Sequence, residues 1–136
     1  MKIVLDNGAF LPIKAHRDDA GYDLRSPVDV EVPAGGSEVI DTGVHMALPK
    51  GFCGMLVSKS GLNFNHGINS VGLIDSGYTG SIHVKLYNFS EKPYCVKRGD
   101  KISQLVIQTA ADLPLVVVDA LDDTERGVGG FGSTGA

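Results

Sequence analysis

The stretch Ser81-Ile82-His83-Val84-Lys85-Leu86-Tyr87-Asn88 alternates apolar and polar side chains with a period of two. That spacing sends successive residues to opposite faces of a β-strand. The same alternation recurs in Val28–Val32 (VDVEV), His45–Leu48 (HMAL) and Leu115–Asp119 (LVVVD), each bounded by Gly, Pro, Asn or Asp. Lys101–Gln108, KISQLVIQ, is also closer to strand than to helix. The 136 residues contain 18 glycines and 6 prolines, which cut the chain into pieces too short for long helices. One short helix is expected at Ser60–His66, after the Ser58-Lys59-Ser60-Gly61 turn. Many short strands at near-regular spacing predict an all-β domain: a sandwich, jelly roll or small barrel.

Composition narrows the function. With 43% hydrophobic and 21% charged residues the chain suits one globular domain. No apolar run approaches a membrane span, and MKIVLDNGAF lacks the form of a signal peptide. Cys53 and Cys95 show neither a CxxC nor a zinc-type spacing, so reduced thiols and a cytoplasmic location are expected. A formal charge of −4 argues against a nucleic-acid binder, which needs a basic face.

The C-terminal end differs from the rest. Residues 1–122 read as one β domain and 123–136 as an arm, whose ERGVGGFGSTGA from Glu125 holds five glycines in 12 residues. Such a segment cannot bury enough apolar area to fix its own backbone. It is either a frayed tail or a flexible arm that closes on an anionic ligand, with Arg126 for charge and Phe131 for stacking. Gly127, Gly129 and Gly132 spell GxGxxG, but too few residues follow for the helix a dinucleotide site requires.

Three polar clusters punctuate the body: Asp18–Leu24 (DDAGYDL), Val57–Gly61 (VSKSG) and Asn69–Gly80 (NSVGLIDSGYTG). Taken singly, each is ordinary turn chemistry, including an aspartate at the tip of a hairpin. Taken in order, they and two further segments resemble the five motifs of the trimeric deoxyuridine triphosphate nucleotidohydrolases (dUTPases). DDAGYDL at 18–24, SKSGL at 58–62, GLIDSGYTG at 72–80, GDKISQL at 99–105 and RGVGGFGST at 126–134 carry the resemblance.

The resemblance implies a homotrimer of distorted jelly-roll, barrel-like subunits with active sites shared between them. The implied reaction is hydrolysis of dUTP to dUMP and pyrophosphate, with Mg2+ on the triphosphate. Such an activity limits uracil in DNA and supplies dUMP for thymidylate synthesis. Asp75 matches the aspartate that deprotonates the attacking water, a task suited to a positioned carboxylate. Tyr78 matches the tyrosine packed under the deoxyribose, which leaves no room for a 2′-hydroxyl. Asn69 matches a uracil-contacting asparagine, and the hairpin around Gly72, expected to be tight, would read the base and reject a thymine methyl. Asp23 matches the acid that reaches the metal through water. Ser60, Gly61 and Gln104 would hold phosphates, Arg126, Ser133 and Thr134 the γ-phosphate, and Phe131 with Gly132 would close over uracil.

One position departs from the pattern. Lys59 stands where the second motif usually has arginine, keeping the charge but losing the bidentate fork. Asp41, where many relatives have proline, reads as a neutral turn change. Asn88-Phe89-Ser90 fits a sequon of no consequence without a signal peptide, and the histidines at 16, 45, 66 and 83 share no ligand spacing. Alternatives are a dCTP deaminase relative, which would place glutamate at the position of Asp75, and a nucleotide-sensing protein on the same scaffold. A purely structural β oligomer would leave the five polar clusters without a purpose.

Overall fold

The computed structural model describes residues 1–130. Its elements are β1 (Lys2–Leu5), β2 (Gly21–Arg25), β3 (Val30–Val32), β4 (Ser37–Asp41), β5 (Val44–Ala47), β6 (Phe52–Val57), α1 (Ser60–His66), β7 (Ile68–Asp75), β8 (His83–Asn88), β9 (Tyr94–Val96) and β10 (Lys101–Thr109). The expected all-β architecture forms, with the one helix where the sequence places it.

A six-stranded antiparallel sheet runs in the order β2-β10-β6-β7-β8-β4, flanked by the pairs β1-β5 and β3-β9. Strand β7 makes the sheet curl. Its first residues, Ile68–Ser70, pair with β8, whereas Val71–Asp75 pair with β6. A strand shared in this way turns a corner, so the sheet becomes half of a barrel. The inward residues of each strand, among them Leu24, Ile40, Ile68, Val84, Leu86 and Leu105, are fully buried in one core. In β8 the alternation is clean: Val84, Leu86 and Asn88 are buried, and His83 and Lys85 are exposed. Truncating one such leucine to alanine costs about 2–5 kcal/mol.

Helix α1 buries no residue and ends at Gly67, whose φ of 66° is the left-handed cap that favours glycine. The helix therefore serves as a bridge between β6 and β7, not as core.

Two expectations change. The VDVEV strand starts only at Val30, because the Ser26 hydroxyl, accepting from the Val28 amide at 3.3 Å, holds the residues around Pro27 in a turn. LVVVD at 115–119 forms no strand, and Leu115 and Val117 are 99% and 100% exposed. Alternation gives a segment two faces but no hydrogen-bonding neighbour, and after Thr109 this segment has none among the described residues. Strands β1 (KIVL), β4 (SEVID) and β9 (YCV) show no apolar–polar alternation and were not legible. Asn88 of the sequon is buried, donating to the carbonyls of Val32 (3.1 Å) and Lys92 (2.8 Å), so it is a structural residue.

Candidate functional site

Strand register decides which candidates share a surface. One row across the outward face joins Asp23 of β2, Gln104 of β10, Val57 of β6 and Val71 of β7. Another, farther along, joins Gln108, Cys53 and Asp75. Between the two rows lie Val106, Met55 and Leu73. Directly opposed residues put their side chains on the same face.

The Asp23 row is a charge cluster. Asp23 is 5% exposed. Its Oδ1 accepts from Lys59 Nζ and its Oδ2 lies 2.7 Å from Lys101 Nζ. Burial pushes the Asp23 pKa up, but hydrogen bonds and charge from Lys101 and Lys59 outweigh it, so the carboxyl titrates below its ordinary value. Gln104 Nε2 donates to the Ser58 carbonyl at 3.2 Å, at the start of α1. That helix begins at extended Lys59 with no side-chain cap, which leaves first-turn amides at Ser60 and Gly61 open to an outside acceptor. Nothing lies within 4 Å of where a Gly61 side chain would start. Lys59, expected to face phosphate, thus also neutralises Asp23.

Asn69 sits one strand turn away and is already engaged. Its Oδ1 accepts from Asn63 Nδ2 and from Ser58 Oγ at 3.2 Å, tying helix to strand. Below it, the hydroxyls of Ser70 and Ser103 meet at 2.8 Å, and Ser58 Oγ accepts from the Ser70 amide at 2.9 Å. This buried network was not foreseen. Serines at inward positions of apolar strands were the available signal. Lys101 was missed because the bulge between Lys101 and Ser103 breaks the alternation there. Gly72 is packed: a Cβ would come within 3.0 Å of Leu56 Cδ1.

The Asp75 row is the opposite in character. Asp75 ends β7, is exposed, and makes no side-chain hydrogen bond or ion pair among the described residues. Because β7 leaves β8 after Ser70, the two strands splay, and the hairpin is open where a tight one was expected. The gap is a cleft of about 210 Å³ lined by Leu73, Ile74, Asp75, Tyr78, Ser81 and His83. The Tyr78 amide donates to the Asp75 carbonyl at 3.0 Å, and its hydroxyl to the Ser81 carbonyl at 2.8 Å.

These two rows do not meet within one chain. Three strand spacings of about 4.8 Å and four residues of about 3.3 Å separate Asp23 from Asp75 by about 20 Å along the sheet. Arg126 is farther out, donating from Nε to the Gly129 carbonyl at 2.9 Å in an exposed local turn. Phe131, Gly132, Ser133 and Thr134 lie outside the described residues. The described residues hold no group of three or more His, Cys, Asp or Glu side chains suited to a metal. No helix among them is long and apolar enough to cross a membrane, and both cysteines are unpaired.

Fold and site together define a curled-sheet, all-β protein with an open carboxylate at one end of a face and, at the other, a lysine-paired carboxylate beside an uncapped helix start. The chain belongs to the dUTPase family, whose model matches residues 8–135. It is 45% identical over 140 residues to a deoxyuridine 5'-triphosphate nucleotidohydrolase of Corynebacterium glutamicum, spanning 99% of this chain and 94% of that one. A protein of the same name from Paramecium bursaria Chlorella virus 1 is 42% identical over 132 residues, spanning 96% and 94%. Among solved structures, a mutant Staphylococcus bacteriophage 80alpha dUTPase with dUpNHpp superimposes with a TM-score of 0.93 at 27% identity, covering 99% of this chain and 98% of that one. A mutant dUTPase of phage phi11, described as revealing coordination of a structural Mg(II) ion, gives 0.82 at 26% identity, covering 88% and 96%.

Proposed function

We propose that the protein hydrolyses dUTP to dUMP and pyrophosphate with magnesium, in active sites completed by neighbouring copies of a homotrimer. The observation that carries the chemistry is the Asp75 carboxylate, without a side-chain partner among the described residues, at the mouth of the Tyr78 cleft. A carboxylate without a competing partner is available to orient a water and take its proton. The water oxygen attacks the α-phosphorus, the bond to the bridging oxygen breaks, and pyrophosphate leaves. Tyr78 forms the wall against the deoxyribose, where a 2′-hydroxyl has no room.

At the other end of the face, the amides of Ser60 and Gly61, the Gln104 amide and the Lys59 ammonium suit phosphate oxygens. Among the described residues one carboxylate, Asp23, stands with them, which fits an ion borne by the nucleotide and reached through water, as magnesium prefers. Magnesium, when bound, neutralises charge on the phosphoryl oxygens. For Asp23 to take part, Lys59 turns from its carboxylate toward phosphate.

Division of the site supports assembly. A separation of about 20 Å exceeds what one nucleotide spans from its attacked phosphorus to its terminal phosphates. The intervening face is apolar, with Val71 and Leu73 68% and 62% exposed, as suits a surface covered by another copy. Arg126, Phe131, Ser133 and Thr134 on the arm are read as the cover over bound nucleotide. A net charge of −4 leaves attraction of the substrate to these local donors, not to the protein as a whole, and offers nothing to nucleic acid. Unpaired cysteines suit a cytoplasmic protein.

Pyrophosphate release from dUTP, UTP, dTTP and dCTP, with magnesium or with EDTA, tests the assignment. Turnover of dUTP alone, lost in EDTA, is expected. Ammonia release from dCTP, or dUTP binding without turnover, would overturn it.

A further inference from the structure

The loop that carries Tyr78 is fastened to the barrel by side chains with no part in the proposed hydrolysis. Tyr78 folds over Gly80, where a Cβ would sit 2.5 Å from the phenol oxygen, and its hydroxyl bonds the Ser81 carbonyl. The ring therefore goes where residues 79–81 go. Two histidines hold those residues. His83 Nδ1 donates to the Ser81 carbonyl at 2.9 Å, and its Nε2 lies 3.6 Å from Asp41 Oδ2, while Ser81 Oγ donates to Asp41 Oδ1. Asp41 is thus a fastening point, not the neutral turn change its place in the sequence suggested.

His45 is the more informative of the pair. Its Nδ1 is 2.9 Å from the Thr79 carbonyl, and its Nε2 is 3.2 Å from Asp6 Oδ2. A carbonyl and a carboxylate both only accept, so both contacts are satisfied together only when each ring nitrogen carries a proton. That form is the imidazolium. Neutral, the ring has one donor for two acceptors, and one contact opens.

We propose that His45, anchored by Asp6, is a positioning residue for sugar selection, holding Thr79 and through it the Tyr78 ring, so that discrimination between dUTP and UTP is strongest when His45 is protonated. The inference rests on the reading of Tyr78 as the wall against a 2′-hydroxyl.

The charged surroundings favour the imidazolium. From the segment after β1 comes Asp6, and Asp41 at the end of β4 adds its field; partial burial of the ring opposes them, and Lys2 of β1 lines the same shallow cavity. The Thr79 carbonyl, then Asp6, raise the His45 pKa above its ordinary value, and Asp41 adds to this. A raised pKa keeps the clasp closed through the ordinary range for histidine and opens it as pH climbs past the shifted value.

The test is the ratio of kcat/KM for dUTP to that for UTP, followed from about pH 6 to about pH 8.5 around the histidine range. The two nucleotides carry the same phosphates and base, so their own titrations cancel from the ratio. Expected is a wild-type ratio that falls with pH, and a His45→Ala ratio about tenfold lower at low pH and flat, the size of one charge-assisted hydrogen bond. Asp6→Asn, a milder change, is expected to move the wild-type transition to lower pH. Tyr78→Ala is the control. If it collapses the ratio while His45→Ala and Asp6→Asn leave both ratio and pH profile as in wild type, the His45 proposal is overturned and the Tyr78 wall stands. If Tyr78→Ala leaves the ratio unchanged, the wall itself is wrong and the proposal goes with it.

Discussion

Asp23 and Asp75 occupy one face of one sheet and could hardly differ more. Asp23 is buried, and each carboxylate oxygen meets a lysine ammonium. Asp75 is exposed at a strand end, with no partner among the described residues. The first is built into the structure, held as an anion whether or not a ligand is present. The second has no side-chain partner among the described residues and stands at the cleft with Tyr78, the position on which its proposed role rests. A paired carboxylate stabilises; an unpaired one is available to react.

The sharpest way to break this contrast is Asp75→Asn. Turnover should fall about 10²–10⁴-fold, the range for a lost general base. The free energy of unfolding should change by no more than about 0.5 kcal/mol, as for an exposed site. Near-normal turnover by this variant would remove Asp75 from the mechanism.

Asp23→Asn should show the reverse emphasis. It leaves two lysines facing a neutral amide in a buried position, and should cost about 1–3 kcal/mol in equilibrium urea unfolding. An unchanged midpoint would show that the lysine pair does not stabilise the fold.

A smaller effect is expected from Lys59→Arg. A guanidinium can keep Asp23 with one edge and offer the other to phosphate, which the single ammonium cannot. Steady-state kinetics should show kcat/KM for dUTP rising a few-fold, about one hydrogen bond's worth. A fall would mean that the compact ammonium is what the site requires.

The finest discrimination is by pH. The folded-state pKa of Asp23 is depressed, so its stabilisation is fully present above the ordinary carboxylate value and is lost as pH falls through the lowered one. His45 has the opposite sign: its raised pKa gives stabilisation that is complete below the ordinary histidine value and lost as pH rises through the shifted one. Melting curves of Asp23→Asn should therefore lose acid dependence relative to wild type, and those of His45→Ala should lose dependence on the alkaline side. Parallel curves in either case would contradict the assignment.

Much of the fold was legible because alternation in SIHVKLYN reports burial on one face, KISQLVIQ is closer to strand than to helix in composition, and the Ser60–His66 helix lies between a Ser/Gly turn and Gly67. Leu115–Asp119 misled because alternation cannot supply a neighbouring strand. Asp75 and Tyr78 were singled out through their motif, and the fold brings them to one cleft. That Lys59 and Lys101 converge on Asp23 depends on a bulge and on strand order, and that His45 meets Thr79 depends on a contact across 34 residues, neither of which a linear pattern contains. The rows that separate Asp23 from Asp75 also follow from register, which only the assembled sheet defines.

Complementation between two disabled chains tests the divided site most directly. Asp75→Asn chains and Lys59→Ala/Gln104→Ala chains, each inactive alone, are co-refolded in equal amounts, and mixed trimers are verified by native mass spectrometry. If Asp75 and the phosphate-binding residues of each site come from different copies, random mixing restores about one quarter of wild-type activity, because one site in four then draws both intact halves. Verified mixed trimers no more active than their parents would place both halves of the site in a single chain and contradict the account.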